Sequence, residues 1–429
     1  MGIKGLNPFL KKHCSEIFLE IPISYFSGKR IAIDGENLVR RFMCTAHKQI
    51  VNQTDVTSEN LDRNKIHRLW ISRWKRFLTS FLSNGITPII IFDGNHPIEK
   101  KDTQKERWEK RKEKQKEADE YRIYVQNLDP LERTSKMLGE LRKKMSTLSY
   151  VSHEDKLLLQ NILSIVGVPY LMATGEGEKL CAMLAREGKV DAVYSKDTDL
   201  ITYGTPLIIT DFGNFKYNEK NGRNEEYFQC TMFDGILSSL NISYSTFIDL
   251  CIMSKCDYNE NIPRLGIGRA YKLLLKHQSI DNLPKQYDDK KIVLNTNFCR
   301  KQFSYVHSSN LCTSNINLNI QKKVDIDNEI VKLFELQDWL NKINKFYFDF
   351  PMPEQNNFIS KPPQGYNFVL TDSNGNKIKS SKYHKSNLKS FISNITTQNK
   401  NKNKKISSHT INSLQFEKLK NSHPELFSK

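Results

Sequence analysis

Short β-branched runs, each followed closely by acidic residues, are the feature that most constrains the fold of this chain. The clearest runs are Arg30 to Ile33, Thr87 to Phe92 and Val190 to Tyr194, with a shorter one at Pro169 to Met172. Longer amphipathic stretches separate them, a rhythm typical of a parallel sheet covered by helices. The sequence therefore predicts an α/β fold with a mostly parallel central sheet flanked by helices.

Acidic residues collect where these strands are predicted to end. In an open α/β sheet, ligands bind outside the carboxyl ends of the strands, so acids from separate strands are expected to converge on one crevice. A further acid follows a later helical stretch. The seven candidates are Asp34, Asp93, Glu176, Glu178, Asp197, Asp199 and Asp257.

A shared site for seven carboxylates requires cations, because like charges gathered closely repel one another. Oxygen-only ligands suit Mg²⁺ or Mn²⁺, and two such ions about 4 Å apart can activate a water and stabilise the attacking and leaving oxygens of a phosphodiester. The alternative is that these acids are turn residues or helix N-caps, positions that Asp and Glu also favour. That alternative explains any single acid, but it explains the repeated placement in four segments less well.

Charge and composition narrow the class of protein. The chain has 65 Lys and Arg against 48 Asp and Glu, a net charge of +17, which favours polyanionic partners such as nucleic acid or anionic lipid surfaces. It has no uninterrupted apolar stretch of about 18 residues, so no membrane span is predicted. The eight cysteines show no CxxC pair and no zinc spacing. With no secretory signal pattern, we expect reduced thiols in an intracellular protein.

Three further segments have a predicted structure of their own. The charged stretch between the second strand and Leu157 is broken at Asp129-Pro130 and predicts two inserted helices. Phe247 to His277 predicts a helix, a glycine-containing turn and a second helix, and Glu329 to Ile343 predicts one more helix.

The C-terminal tail differs in composition from the rest of the chain. From Gly365 to Lys429 it carries a net charge of +9. A small hairpin is predicted around Asn374-Gly375, but the following stretch NITTQNKNKNKKISS is polar and lacks core residues. We therefore expect most of the tail to be disordered.

Six blocks follow one another in the sequence: MGIKGL, IAIDGENL, PIIIFDG, GVPYLMATGEGEKLCAML, KVDAVYSKDTDLITYG and FIDLCIMSKCDYNENIPRLGIGRAYKLL. In order and spacing they resemble the flap endonuclease family of structure-specific 5′ nucleases, over about residues 1 to 280. The resemblance implies a PIN-like 5′ nuclease core over 1–355, with a helical arch at about 99–155 and a helix-two-turn-helix at about 246–280. Residues 356–429 would form the basic tail.

The resemblance also implies an activity. It indicates a Mg²⁺-dependent 5′ flap endonuclease with 5′–3′ exonuclease activity on DNA, acting in replication, repair or recombination through two metal ions, with Mn²⁺ as an alternative. The seven carboxylates match the family's metal-site positions, and none is missing. We expect a monomer that binds single-strand to double-strand junctions, in the nucleus of a eukaryotic cell or at the site of viral DNA replication.

Two alternatives stay open. A non-catalytic DNA-junction-binding protein would keep the basic segments but could lose carboxylates, so the complete set argues against it. A relative specialised for resection or for Holliday-junction cleavage is the second alternative. The short spacing between Asp93 and Glu176 favours the flap-cutting branch over relatives that incise bubbles, which carry a very long spacer.

Basic residues in the arch match positions that touch phosphate in the family. Lys100 and Arg107 fall where basic residues contact the scissile phosphate, a catalytic role in which cations stabilise developing charge. Lys110 and Arg111 would steer phosphates one turn further along. The alternative is a solvated helix of alternating charge.

The turn before the second helix of the helix-two-turn-helix resembles the family's duplex-binding element. Glycines let backbone N–H groups approach a phosphate closely. The resemblance implies non-specific backbone binding by Gly266, Gly268, Arg269 and Lys272, and a K⁺ site at Asn261, Ile262 and Leu265. Gly2, with Met1 removed, would approach the active site through its free amine.

Three features depart from the family pattern. Arg40 stands where the family usually has an aromatic residue that stacks on a base, although arginine can also stack. Lys196 stands where an acid is common, which places a positive charge near the metals. Lys385 to Ile392 has the apolar spacing of a sliding-clamp peptide without its leading Gln. We interpret that match as chance; a sliding clamp is the partner that a true peptide of this kind would bind.

Overall fold

A computed structural model describes residues 2–58, 60–94, 101–218, 223–313, 316–318, 328–349, 370–371 and 377–378. The described residues divide into two units. The first unit comprises those of Met1–Ile33, Glu178–Asn315 and Pro353–Lys429, and the second comprises those of Asp34–Gly177 and Ile316–Met352. Apart from two short strands, the predicted disordered tail and the clamp-like segment lie outside the described residues.

The predicted strands are present, and the structure adds others. The runs at 30–33 and 87–92 are confirmed, and the two later runs form shorter strands than predicted. The strands are β1 (Phe18–Pro22), β2 (Arg30–Asp34), β3 (Thr87–Phe92), β4 (Tyr170–Met172), β5 (Ala192–Tyr194), β6 (Leu207–Asn218), β7 (Arg223–Met232), β8 (Leu370–Thr371) and β9 (Lys377–Ile378).

Strand pairing in the first unit is mixed. Its strands lie in the order β1-β7-β6-β5-β2. The pairs β2 with β5 and β5 with β6 are parallel, which confirms the predicted parallel core. The long hairpin β6–β7 and its neighbour β1 are antiparallel and were not predicted. Register shifts between Ile209 and Asn214 interrupt the regular alternation that would have identified β6.

The remaining strands form two pairs. In the second unit, β3 and β4 are parallel, with Ile90 opposite Tyr170 and Phe92 opposite Met172. β8 and β9 are antiparallel, which confirms the pairing of the predicted tail hairpin. The turn of that hairpin, at Asn374-Gly375, lies outside the described residues.

Fourteen α-helices alternate with these strands along the described part of the chain. They are α1 (Leu6–His13), α2 (Gly35–Gln53), α3 (Arg63–Leu82), α4 (Lys101–Asn127), α5 (Ser135–Ser146), α6 (His153–Val166), α7 (Gly177–Arg186), α8 (Asp199–Thr202), α9 (Asp234–Leu240), α10 (Tyr244–Met253), α11 (Ile267–His277), α12 (Thr296–Gln302), α13 (Asn328–Leu333) and α14 (Gln337–Asp349). Both inserted helices, α4 and α5, are confirmed, as is the pair α10 and α11.

The two inserted helices are attached to the second unit at one end. Val125 of α4 packs with Leu141 and Met145 of α5 and with Val51 of α2 in a small apolar cluster. Between 105 and 117, by contrast, every described side chain of α4 is exposed. Burial of an apolar face therefore fixes the C-terminal part of α4, while the described side chains between 105 and 117 form no such face.

A buried ion pair holds the helix-two-turn-helix against α12. Asp249 on α10 is 2 % exposed and accepts hydrogen bonds from Arg300 Nε at 2.8 Å and Arg300 Nη2 at 2.7 Å. It also accepts the backbone N–H of Ile280 at 2.9 Å, just beyond α11. Burial alone would lower the pKa of Arg300, but the hydrogen bonds and charge of Asp249 raise it above its usual value. Arg300 therefore stays charged, and its pair with Asp249 connects α10, α12 and the end of α11.

The single helix predicted for Glu329 to Ile343 is wrong. Two helices, α13 and α14, occupy this stretch, because Glu335 between them has a φ of +51°. The N–H of Leu336 bonds back to the carbonyl of Val331 at 2.9 Å, which ends the first helix in the usual left-handed way. A non-glycine residue in this conformation leaves little trace in the sequence.

The expectations about thiols and membrane spans can also be compared with the structure. All eight cysteines are free thiols. Among the described residues, no single helix is both long and apolar enough to cross a membrane, although the bent pair α9 and α10 meets both conditions when taken together.

Candidate active site

Three of the predicted carboxylates meet in the first unit. Each of Glu178, Asp197 and Asp199 offers one carboxylate oxygen, and these oxygens lie within 4.8 Å of one another. Asp197 and Asp199 are buried, at 5 % and 2 % exposure, and Glu178 is partly buried. Buried carboxylates at this separation repel strongly unless a cation or a proton lies between them.

The loop after β5 holds two of these acids in place. The N–H of Asp197 donates to Ser195 Oγ at 3.0 Å, and the N–H of Asp199 donates to Asp197 Oδ1 at 3.1 Å. Asp199 then begins α8. The acidic spacing of SKDTD thus folds as a tight turn at the carboxyl end of a parallel strand, as the sequence predicts.

The N-terminal segment lies directly against this loop. The N–H of Ile3 donates to Thr198 Oγ1 at 2.7 Å. Gly2 has a φ of +94°, and a Cβ at this position would lie 2.2 Å from Asp197 Oδ1 and 2.4 Å from Thr198 Oγ1. Only glycine fits there, which accords with the predicted approach of Gly2 to the acids. Thr198 was not predicted, although its place between two candidate ligands was a signal.

The other acids at strand ends belong to the second unit. Asp34 ends β2 and accepts the N–H of Asn37 at 3.2 Å, so it caps α2, as the alternative interpretation allows. Asp93 follows β3, and its Oδ1 accepts the N–H of Gly177 at 2.9 Å. Glu176 lies next to that glycine in the chain and is partly buried. These positions at strand ends match the prediction.

Asp257 lies in the first unit, in the loop after α10, and is partly buried. It is not one of the three acids that meet. Its loop is fixed by Asn259, whose Oδ1 accepts the N–H of Cys256 at 2.8 Å and whose Nδ2 donates to the carbonyl of Ile252 at 2.7 Å. Its assignment as a metal ligand stays a prediction.

The turn before α11 is open to solvent. Gly266 and Gly268 are exposed, and a Cβ at either position would meet no atom within 4 Å. Arg269 and Lys272 are exposed beside them, and Arg269 Nη1 donates to the carbonyl of Arg264 at 2.8 Å. This surface presents backbone N–H groups of a helix N-terminus and two cations without a covering side chain.

The residues of the predicted K⁺ site lie in the same loop. Ile262 and Leu265 are buried, and the N–H of Leu265 donates to the carbonyl of Ile262 at 3.0 Å. Oδ1 of Asn261 is buried without a hydrogen-bond partner among the described residues. Oxygen donors suit K⁺, but the assignment of these residues to an ion stays a prediction.

The structure describes the side chains of two of the four predicted basic residues of the arch. Lys100 and the side chain of Arg107 lie outside the described part of the chain. Lys110 is exposed and forms an ion pair with Glu106, whereas the guanidinium of Arg111 lies over the ring of Tyr150, 4.9 Å from its centroid. Lys110 therefore fits the alternative of a solvated helix with alternating charges, whereas Arg111 contacts an aromatic ring outside its own helix.

The two basic residues that depart from the family pattern, Arg40 and Lys196, are both paired with acids. Arg40 donates through Nε and Nη2 to Glu36 Oε1 at 3.2 and 3.1 Å, and Lys156 contacts the other oxygen of Glu36 at 2.7 Å. Lys196 Nζ lies 2.9 Å from Asp211 Oδ2. The charge of Lys196 is therefore balanced by a surface carboxylate.

The three acids that meet have the chemistry of a hard divalent cation site. All donors are carboxylate oxygens, the ligand type that Mg²⁺ and Mn²⁺ prefer over softer metals. No histidine or cysteine belongs to the group. The donor set therefore fits the ions that the resemblance implies.

Comparison with known proteins matches two segments of this chain to domains of one family. Residues 1–115 match the XPG N-terminal domain, and residues 167–257 match the XPG I-region. Flap endonuclease 1 of Enterocytozoon bieneusi is 31 % identical over 285 residues, covering 66 % of this chain and 72 % of that protein. Flap endonuclease 1 of Cryptosporidium parvum is 31 % identical over 361 residues, covering 81 % and 68 %.

A solved structure supports the fold. Flap endonuclease-1 from Methanococcus jannaschii superposes with a TM-score of 0.50 at 22 % identity, covering 77 % of this chain and 96 % of that one. This likeness confirms the α/β nuclease fold expected from the sequence. Together with the matches above, it leads to one conclusion: the chain belongs to the flap endonuclease family of structure-specific nucleases.

Proposed function

We propose that this nuclease is a Mg²⁺-dependent 5′ flap endonuclease with 5′–3′ exonuclease activity on DNA, acting in replication, repair or recombination. The observation that carries the proposal is the convergence of Glu178, Asp197 and Asp199 within 4.8 Å in a member of this family. A junction-binding protein without catalytic activity would have no need of this buried acidic group.

The carboxylates would hold two divalent ions. The proposed ligands are Asp34, Asp93, Glu176, Glu178, Asp197, Asp199 and Asp257. Among them, Glu178, Asp197 and Asp199 have carboxylate oxygens within 4.8 Å of one another. When bound, such ions supply a water nucleophile at neutral pH and neutralise charge on the phosphodiester. The N-terminal segment and the Thr198 hydroxyl keep the acidic loop in one conformation, so the ligands need little rearrangement.

The chain's own cations would act on the substrate. Lys100 and Arg107 are proposed to contact the scissile phosphate, where positive charge stabilises the transition state. The open turn at Gly266 and Gly268 would bind duplex phosphates through backbone N–H groups, assisted by Arg269 and Lys272. Such contacts read backbone geometry and not base sequence, as a structure-specific enzyme requires.

We predict that Gly268→Ala stabilises the protein but weakens its binding to duplex DNA. Position 268 is the second residue of α11, has open space around it and needs no left-handed backbone, so alanine should raise helix stability by up to about 0.5 kcal/mol, the lower end of the gain inside a helix. The added methyl group would obstruct a phosphate and cost about tenfold in affinity, equivalent to losing one charged hydrogen bond. Thermal melting and anisotropy with a labelled blunt duplex measure the two effects.

Gly139→Ala is the matched control for this prediction. Gly139 lies inside α5, again with open space around it, so the variant should be stabilised similarly without losing duplex affinity. If Gly268→Ala binds duplex DNA as tightly as the wild type, the turn does not contact the duplex.

Cleavage of defined DNA structures tests the proposed function as a whole. A 5′-labelled double-flap substrate is compared with blunt duplex, single strand and an intact Holliday junction, each with Mg²⁺ and with EDTA. We expect Mg²⁺-dependent cutting at the flap junction, slower removal of 5′ nucleotides from duplex ends and little Holliday-junction resolution. Preferential cutting of the Holliday junction or of duplex ends would favour the specialised relatives, and binding without any cutting would favour the junction binder.

A further inference from the structure

Two buried thiols are in contact next to Asp257. Sγ of Cys256, in the loop after α10, lies 3.8 Å from Sγ of Cys299 on α12. The two side chains are 2 % and 0 % exposed, and they are 43 positions apart in the sequence. A disulfide has an S–S distance of about 2.05 Å, so the sulfurs need to approach by about 1.8 Å to form one. The fold therefore brings two distant cysteines close enough to be joined by a small local movement.

Asp257 lies between two residues that pack on α12 or its end. The preceding residue is Cys256, whose thiol contacts that helix. The following residue, Tyr258, is 7 % exposed, and its ring centroid lies 5.9 Å from that of Phe298 and 6.0 Å from that of Phe303. The position of this carboxylate therefore depends on how the loop packs against α12.

The loop yields more readily than α12 when the two sulfurs approach. Within the helix, the N–H and the carbonyl of Cys299 each make a backbone hydrogen bond of 3.0 Å, and the next residue, Arg300, is held by Asp249. In the loop, Lys255 has a φ of +80°, a conformation that strains a non-glycine residue. We therefore expect Cys256 to move towards the helix, and the backbone of the adjoining carboxylate residue to move with it.

Hydrogen bonding in the loop tolerates the loss of both thiol protons. Asn259 Oδ1 accepts the N–H of Cys256 at 2.8 Å as well as its S–H at 3.1 Å, so it keeps one donor after oxidation. The S–H of Cys299 donates to the carbonyl of Leu294 at 3.5 Å, a long contact whose loss costs little. An oxidised form of the pair is therefore compatible with the rest of the fold.

We propose that Cys256 and Cys299 are a redox-sensitive dithiol, which a hydroperoxide converts into a disulfide that weakens metal binding at Asp257. A covalent bond in place of a 3.8 Å contact pulls the loop towards α12, while the Tyr258 ring stays against its aromatic neighbours. The carboxylate between them then loses the position that it has in the reduced protein. The inference rests on the proposed function, because the role of Asp257 as a ligand belongs to it.

The reaction consumes one hydroperoxide for each disulfide. The sulfur of Cys256 attacks one oxygen of hydrogen peroxide, the O–O bond breaks, and a sulfenic acid and one water are formed. The sulfur of Cys299 then attacks the sulfenic sulfur, which forms the S–S bond and releases the hydroxyl group with the remaining thiol proton as a second water. The two thiols lose two protons and two electrons, and the peroxide is reduced. Because both sulfurs are buried, a small oxidant reaches them more readily than a bulky disulfide does.

Mass spectrometry of peptides tests whether the disulfide forms. The full chain carrying Cys44→Ser is used, because Cys44 is exposed and would consume oxidant. It is treated with hydrogen peroxide in EDTA, the peroxide is removed with catalase, and the protein is digested without reductant. We expect a cross-linked peptide pair containing Cys256 and Cys299, two hydrogens lighter than the two reduced peptides together, which dithiothreitol separates.

Calorimetry with Mn²⁺ and cleavage of a double flap measure the consequence. After peroxide treatment, Cys44→Ser should bind Mn²⁺ about tenfold more weakly and cut about 100-fold more slowly, and dithiothreitol should restore both. The same protein without peroxide is the control. Adding Cys256→Ala or Cys299→Ala should abolish the response to peroxide. Alanine removes one thiol without burying a hydroxyl group, and the second variant serves if the first fails to fold.

Three results would overturn the inference: no cross-linked peptide, a cross-link with unchanged Mn²⁺ affinity, or an equal loss of affinity in the alanine variants after peroxide. The last would place the oxidative damage elsewhere in the chain. Peptide mapping and Mn²⁺ binding need no cleavage, so they are independent of the proposed function. A protein that forms the disulfide and loses Mn²⁺ affinity but never cuts a flap contradicts only the catalytic proposal. One that cuts flaps at an unchanged rate after cross-linking contradicts only the dithiol.

Discussion

Asp197→Asn should abolish cleavage of a double-flap substrate while leaving DNA binding intact. Asparagine retains an oxygen that can accept the N–H of Asp199 at the position of Asp197 Oδ1, so the turn after β5 is preserved. What disappears is one negative charge among three oxygens that lie within 4.8 Å. Losing about 4 kcal/mol of metal-dependent transition-state stabilisation corresponds to a rate decrease of about 1,000-fold. Single-turnover cleavage at saturating enzyme measures this decrease.

Calorimetric measurement of Mn²⁺ binding shows whether Asp197 is a metal ligand or only supports the loop. Asp197→Asn should bind Mn²⁺ at least about tenfold more weakly, a loss of about 1.4 kcal/mol. Asp288→Asn is the control, because Asp288 is an exposed acid of the same unit that pairs with Lys291 at 2.8 Å, and it should leave both metal binding and cleavage unchanged. Wild-type Mn²⁺ affinity in an inactive Asp197→Asn would exclude Asp197 as a ligand.

The parts of the fold that follow from local chemistry were predictable from sequence. β2 and β3 are buried throughout and mostly apolar, and the acids at their ends follow from the general geometry of parallel strands. The inserted helices were predictable because their sequence is rich in the helix-favouring residues Lys, Glu, Arg and Gln and is broken at Asp129-Pro130. Three of the seven candidate ligands meet as expected.

The features that were missed depend on contacts between distant residues. The hairpin β6–β7 is stabilised by pairing with β1 and by an ion pair between Lys216 and Glu20, and neither leaves a local pattern. The turn at Glu335 needs a left-handed non-glycine residue, which propensity does not reveal. The stacking of Arg63 and Arg111 on Tyr150 likewise joins three segments that only the tertiary fold brings together.

These misses bear on how the basic residues are interpreted. From sequence, Lys110 and Arg111 are both assigned to phosphates, whereas Arg40 stands at a base-stacking position and Lys196 near the metals. In the structure three of them are paired with carboxylates, while Arg111 lies on an aromatic ring. A paired surface cation contributes less to a polyanion's affinity than one without an acidic neighbour, since the partner must be displaced or its repulsion overcome. Position in the fold, more than charge count, therefore distinguishes Arg111.

Gly2→Ala should be the most damaging substitution outside the carboxylates themselves. A methyl group at this position would lie 2.2 Å from Asp197 Oδ1 and 2.4 Å from Thr198 Oγ1, so either the N-terminal segment or the acidic turn must move. Displacing a catalytic group by about 1 Å costs about 100-fold in rate. We expect that loss in single-turnover flap cleavage, with little change in blunt-duplex affinity.

Gly188→Ala separates crowding from backbone strain in this prediction. Gly188 has a φ of +72°, which also strains alanine, as the +94° of Gly2 does, but a Cβ there would meet no atom within 4 Å. Both variants should therefore lose about 1 kcal/mol to strain, measured by urea denaturation, while only Gly2→Ala loses cleavage and Mn²⁺ affinity. Equal activity in the two variants would mean that the N-terminal segment does not support the acidic site, and that Asp197 and Asp199 keep their positions through the turn after β5 alone.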